Sequence, residues 1–358
     1  MFVRWAEQQI GIEASRQLPG YAEPATDRRF QAPEALDVRF MEVRAKSALN
    51  RVPAASRVPF RWTVNPYRGC THACVYCFAR PTHEYLGLSA GRDFERELIV
   101  KVNVPEVLSA ELARPSWRHE HVALGTNTDP YQWVEGRYEL MRGIWAALRD
   151  ARNPCSILTK SPLVLRDVDL LREIAEVTEV GACLSVPTLD EKAWRATEPH
   201  TPHPRARLEA VAELNRQGIP TGILISPLMP GINDSPQQVE RVIELATEAG
   251  AVSIGGHTLF LRGSVRSIFF DWLESQRPDL LPRYEELYRE SAYAPAAERR
   301  RIERSARVPG ERLAPYPQAE RGRPGSRDSR GGADRRDGSR LLGHGSPKPA
   351  FARQQSLF

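Results

Sequence analysis

No stretch of this 358-residue chain runs for about eighteen uninterrupted apolar residues, so the sequence offers no candidate membrane-spanning helix. Its first thirty residues also lack the apolar run of a secretory signal, and the reading is a cytoplasmic protein without a membrane partner. No internal repeat is visible, which sets aside repeat arrays. Cysteine is scarce: there are five, three of them crowded within eight residues. In a reducing compartment that usage argues against a disulfide framework and for metal binding or catalysis.

What remains is an ordinary globular composition, 41% hydrophobic and 27% charged, long enough to bury a full-sized core. The net charge of +5 is unevenly spread. Residues 299–358 carry a net +9, which leaves residues 1–298 at −4. Three regions follow. Residues 1–45 are a weakly patterned N-terminal extension, although "RFMEVRAKSALNRVP" reads as a short helix ended by Pro53. Residues 46–295 form the folded domain. Residues 296–358, rich in Arg, Gly, Pro and Ser, have too few large apolar residues to offset the entropy of ordering and read as a disordered tail. That tail is either a non-specific phosphate-binding arm or a solubilising extension whose arginines are interrupted by acidic residues.

Within the domain, strand-like and helix-like segments alternate. The strand candidates are 60–64, 121–125, 156–159, 181–186, 222–226 and 252–260, each short and apolar or β-branched. Helical periodicity marks 136–151, 163–177, 204–218, 235–250 and a run near 267–276. Repeated strand then helix implies a parallel sheet covered by helices. Six units are too few for a closed eight-stranded barrel, so the expected fold is a partial (β/α)6 barrel of the TIM type, with chemistry at the carboxyl ends of its strands.

The first strand candidate leads into "NPYRGCTHACVYCFAR", in which Cys70, Cys74 and Cys77 are spaced C-x3-C-x2-C. Thiolates suit iron-sulfur clusters or zinc. A structural zinc site needs a fourth ligand, and His72 sits in a loop already turned by Cys70 and Cys74. Cys155 and Cys183 lie in separate strand units, where free cysteine is commonly a small buried hydrophobe. Three thiolates on a 4Fe-4S cube leave one iron open.

The loop Cys70, Cys74, Tyr76, Cys77 after the first strand of a β/α repeat resembles the signature of radical S-adenosylmethionine (SAM) enzymes. "KSALNRVP", "LGTNTDPYQ", "ILTKS", "TLD" and "PGIND" further resemble the motif series of its spore-photoproduct-lyase-like branch, over about residues 46–293. That resemblance implies a 4Fe-4S cluster on Cys70, Cys74 and Cys77. It implies SAM on the open iron, reductive cleavage to a 5′-deoxyadenosyl radical, and hydrogen abstraction from a substrate it does not name. It assigns the SAM amino group to the segment Thr126, Asn127, Thr128 and Asp129, which otherwise reads as a polar turn before Pro130. Lys160 matches a lysine that pairs with the SAM carboxylate, Ser185 a serine contacting ribose, and Gly231 the segment that packs on adenine. Tyr76, with Phe78 beside it, is expected near adenine. Glu198, His83 and Glu84 also match family positions without roles. His200 and His203 flank prolines in what reads as a solvated loop, and His257 reads as a core or barrel-lining histidine.

With no second cysteine group, an external reductant such as flavodoxin or ferredoxin is expected. Photoproduct lyases return a hydrogen atom from a cysteine near the position where this chain has Thr126; Cys155 or Cys183 would substitute only if its thiol faced the lumen. Three function classes stand: a radical SAM enzyme, with nucleic acid suggested by the family and the tail; a non-catalytic iron-sulfur protein that senses redox state or binds nucleic acid; and a zinc-binding module.

Overall fold

Short apolar runs separated by amphipathic helices fold here as the alternation implies. The computed structural model describes residues 11–306, apart from 31, 33–36, 55 and 57. Its strands are β1 (Gly11–Arg16), β2 (Ala25–Arg29), β3 (Arg39–Val43), β4 (Leu49–Arg51), β5 (Trp62–Val64), β6 (Tyr67–Arg68), β7 (Glu97–Lys101), β8 (Val122–Leu124), β9 (Cys155–Thr159), β10 (Val180–Ser185), β11 (Thr221–Leu228) and β12 (Ile254–Thr258). The helices are α1 (Arg92–Arg96), α2 (Val104–Leu112), α3 (Glu135–Tyr138), α4 (Leu140–Asp150), α5 (Val168–Val177), α6 (Glu191–Thr197), α7 (Pro204–Arg216), α8 (Pro236–Glu248), α9 (Ser264–Gln276), α10 (Leu281–Leu287) and α11 (Ala296–Ser305).

β5, β8, β9, β10, β11 and β12 pair in that order, every pair parallel. β4 adds an antiparallel edge beside β5. This is the expected partial (β/α)6 barrel, and all six strand candidates fall on its parallel strands. Along β9, Cys155 and Ile157 enter the core under the helices, while Leu158 and Thr159, with Lys160 just beyond the strand, reach the cavity. On α4 the buried residues Met141, Ile144, Trp145 and Leu148 recur at helical spacing and face that core. Each fully buried large apolar side chain contributes about 1.5–3 kcal/mol, so this layer supplies the main driving force for closing the barrel.

The N-terminal segment is more structured than its pattern indicates. β1, β2, β3, β7 and β6 form a second sheet in that order. "RFMEV" is β3, correcting the helical reading of that stretch, and β3 runs parallel to β7 with Phe40 opposite Leu98. Phe40 packs with Phe30 and Tyr67 on one face, and Met41 packs with Leu18 and Ile99 on the other. Burial on both faces removes the alternation by which a strand is recognised.

The expected boundary at residue 296 is also corrected. Ala296–Ser305 is α11, which lies against β12 and places Ile302 and Ala306 in the main core at 1% and 0% exposure. The close approach depends on Gly256, where an added Cβ would stand 2.5 Å from the Ala306 Cβ. The basic tail beyond residue 306 lies outside the described residues. No described helix is long and apolar enough to cross a membrane.

Candidate active site

The loop after β5 is fastened before any ligand is considered. Gly69, at φ +81°, turns it where an added Cβ would meet the Phe94 carbonyl oxygen at 2.7 Å and the His83 ring at 2.9 Å. The Gly69 carbonyl accepts from Thr128 Oγ1 at 2.6 Å and from Gln132 Nε2 at 3.2 Å. Gln132 Oε1 in turn accepts from the Thr71 amide at 2.9 Å. Arg80, 3% exposed, donates to the carbonyl oxygens of Cys74 at 3.0 Å and Ala73 at 3.1 Å and pairs with Glu95 at 2.9 Å. His83 Nε2 donates to the Glu97 carbonyl, 2.9 Å away, and the ring lies edge-on to Phe94, so its role is to hold the loop's outer turn. Glu84 is exposed.

All five cysteines are free thiols. Cys70, Cys74 and Cys77 line one cavity of about 1010 Å³ at the carboxyl ends of the strands. Burial, reinforced by Asp129 and Cys77, pushes the Cys70 thiol up to about 12. Burial, followed by Glu198, pushes Cys74 well above the usual range. Thiols so placed ionise when a cation balances them. No group of three or more His, Cys, Asp or Glu side chains among the described residues is arranged to hold a single metal ion.

Most expected contacts converge. Tyr76, Phe78, Thr126, Asn127, Thr128, Asp129, Lys160 and Ser185 all line this cavity, whereas Gly231 does not. Gly231 is exposed in a turn whose amide donates to Asp234 Oδ1 at 2.6 Å; β11 instead contributes Leu224, Ser226 and Pro227 to the lining. Asp129 is committed to the end of β9: its carboxylate accepts from Thr159 Oγ1 at 2.6 Å and from the Lys160 amide at 2.7 Å. His72, 1% exposed, has both ring nitrogens without a hydrogen bond, with Nδ1 3.4 Å from Asp129 Oδ2. Burial holds its basicity down, to about 4.

A charged network forms the cavity floor. Glu198, fully buried, accepts from the Tyr76 hydroxyl at Oε1 and from Arg207 at Oε2, the latter at 2.6 Å. Arg207, also fully buried, further donates to the Ser185 carbonyl at 2.8 Å and the Pro202 carbonyl at 2.9 Å. Lys160 Nζ donates to Ser185 Oγ at 3.0 Å and stands 3.6 Å from Glu198 Oε1 and 5.8 Å from the Tyr76 ring centre. Burial alone would raise the Glu198 carboxyl, but Arg207 and Lys160 hold it down at about 2. Burial opposes the Lys160 charge, yet Glu198 and Cys74 keep its basicity above the ordinary value.

Of the opposite wall, only His257 was read in the sequence, as a core or barrel-lining histidine. His257, Phe260, Arg262, Tyr293, Arg299 and Glu303 line it. Tyr293 is 44% exposed, packs on Phe260 with centres 4.5 Å apart and the rings tilted by 41°, and lies under the Arg299 guanidinium at 5.1 Å. Glu303 Oε1 accepts from the Thr258 amide at 3.1 Å. Neither Cys155 nor Cys183 lines the cavity: both are buried, Cys155 under the helices. His203 Nδ1 accepts from the Arg205 amide at 3.2 Å, capping α7.

The family model for the Radical SAM superfamily matches residues 64–246. An uncharacterized protein of Mycobacterium tuberculosis is 44% identical over 317 residues, covering 87% of this chain and 91% of its own. An uncharacterized protein of Methanocaldococcus jannaschii is 29% identical over 199 residues, covering 55% of this chain and 70% of its own. A structure of spore photoproduct lyase complexed with dinucleoside spore photoproduct superposes with a TM-score of 0.55 at 13% identity, over 75% of this chain and 77% of the other. At that identity the likeness is one of fold.

Proposed function

This chain belongs to the Radical SAM superfamily, and on that premise we propose that Cys70, Cys74 and Cys77 hold a 4Fe-4S cluster whose open iron takes SAM. Membership implies an enzyme. The observation that carries the proposal is the convergence of three free thiols and the Lys160 ammonium on one cavity. The residues present fit the groups. Soft thiols are the donors an iron-sulfur cluster requires, and the unpaired ring nitrogens of His72 mark a polar site that a bound group would complete. A cavity of about 1010 Å³ has room for more than one small molecule.

When bound, these groups supply reductive cleavage of SAM and a carbon-centred radical that removes a hydrogen atom from the substrate. The chain's own residues bind and orient. Lys160 offers N–H donors to the SAM carboxylate, and Ser185, Thr126 and Asn127 offer hydroxyl and amide groups to its polar remainder. Leu158, Leu224 and Pro227 keep that part of the cavity apolar. The electron comes from an external flavodoxin or ferredoxin, since Cys155 and Cys183 are separate and buried.

For the substrate we favour nucleic acid. An exposed tyrosine packed at a tilt against a second ring and capped by an arginine brings together the aromatic surface and the cation that single-stranded bases and phosphates use. Anaerobic reconstitution tests the whole reading: about four irons per chain and 5′-deoxyadenosine released after reduction support it. Cluster without SAM cleavage favours a sensing role, and a colourless zinc protein overturns both. Weaker binding of single-stranded DNA by Arg299→Gln supports the substrate assignment; unchanged, salt-insensitive binding rejects it.

A further inference from the structure

The motif tyrosine is expected to serve SAM through its ring, yet its hydroxyl is what the cavity floor uses. Glu198 Oε1 has two cations or donors in reach. The Tyr76 hydroxyl bonds to it, and Lys160 Nζ remains at 3.6 Å, without a hydrogen bond. Lys160 instead donates to Ser185 Oγ at 3.0 Å, and Ser185 Oγ donates onward to the Ser226 carbonyl at 3.1 Å. The other Glu198 oxygen is taken by Arg207, which is fully buried and held by the Ser185 and Pro202 carbonyls. The carboxylate thus accepts from the Tyr76 hydroxyl at Oε1 and from Arg207 and, at 3.3 Å, Thr201 Oγ1 at Oε2, and the ammonium beside it keeps donors to spare.

We propose that the Tyr76 hydroxyl is a positioning group that occupies Glu198 and so keeps Lys160 available to an anionic ligand in the cavity. Without that hydroxyl, Glu198 Oε1 is a buried carboxylate oxygen lacking a hydrogen bond, and the nearest mobile donor is Lys160. The ammonium then swings onto Glu198, leaves Ser185 and is withdrawn from the ligand. A buried ion pair of this kind is hard to reopen, because separating it strands both charges. Tyr76 also fastens the middle of the thiol loop to the floor, together with the Val75 amide on the Thr197 carbonyl at 3.1 Å. The backbone bond of Val75 holds the loop in either case, so removing the hydroxyl is read at the ammonium and not at the thiols.

This inference rests on the SAM reading above and deepens it. The test is equilibrium dialysis of labelled SAM against cluster-loaded wild type, Tyr76→Phe, Lys160→Met and the double variant, with iron content and circular dichroism measured for each. Phenylalanine keeps the ring, so a purely stacking role leaves affinity unchanged. The expected result is a roughly tenfold loss of SAM affinity in Tyr76→Phe with iron content unchanged. In the Lys160→Met background the same change has no further effect, because the hydroxyl acts through the lysine. Wild-type affinity in Tyr76→Phe, additive losses in the double variant, or loss of iron from Tyr76→Phe each overturn the inference while leaving the enzyme reading intact. A wild type that loads iron but binds no SAM overturns both.

Discussion

The hydroxyl of Thr128 lies 2.6 Å from the carbonyl oxygen of Gly69, joining the end of the second barrel strand to the turn that starts the thiol loop. Both groups are withdrawn from water, so the bond has no solvent substitute. Thr128→Val keeps the shape and removes the donor. The expected cost is about 1 kcal/mol of stability, read by thermal unfolding, and a faster release of iron from the loaded protein to a chelator. Iron release at the wild-type rate would show that the loop is held without this bond.

Cys74→Ala is expected to abolish 5′-deoxyadenosine formation while the circular dichroism spectrum is retained. Cys74 packs with Tyr76, Leu261 and Phe269 in a cluster separate from the main barrel core, so removing its sulfur costs local packing only. Deoxyadenosine released by this variant would show that Cys74 is not a ligand.

Glu198→Gln strands the fully buried Arg207 and is expected to cost about 3 kcal/mol near neutral pH. The sign of its pH dependence follows from the depressed carboxyl. In the unfolded chain Glu198 protonates near its ordinary value of 4.5, whereas in the folded protein it stays ionised down to about 2. The stability it confers is complete above pH 4.5 and is lost as pH falls through about 2. Urea titrations at several pH values should find the gap between wild type and Glu198→Gln narrowing across that window. A gap that widens on acidification would contradict the network.

Two truncations separate the folded unit from the tail. A chain ending at Ala306 is expected to unfold at the wild-type temperature, whereas one ending at Pro295 loses Ile302 and Ala306 from the core and unfolds well below it. Ile302→Ala alone should cost roughly 2–4 kcal/mol. Equal stability of the two truncations would mean that α11 adds nothing to the barrel.

Much of this architecture was legible because it is local. "GILIS" reads as a strand buried on both faces, and β11 is such a strand. The spacing of Cys70, Cys74 and Cys77 is a property of one loop. The missed parts depend on distant partners. β3 draws its order from β7, and α11 carries a single large buried apolar residue, Ile302, among arginines that made it look like tail. Glu198 stood out by resemblance, but its role needed Tyr76, 122 positions earlier, and Arg207. Arg80 and Gln132 gave no sign in the sequence, because a buried side chain that serves backbone carbonyls looks the same on paper as a solvated one. Gly231 shows the converse: its motif assigned it to adenine, yet it lies in an exposed turn outside the cavity lining.

The placement of α11 fixes an order of events during synthesis. The thiol loop leaves the ribosome early, and Arg299 and Glu303, which complete the far wall of the same cavity, leave after all six barrel strands. Until α11 docks against β12, the cavity lacks Arg299 and Glu303 from its far wall. The cavity is thus completed by a segment made after every strand of the barrel, and a chain stopped before residue 296 has the thiol loop without its facing wall.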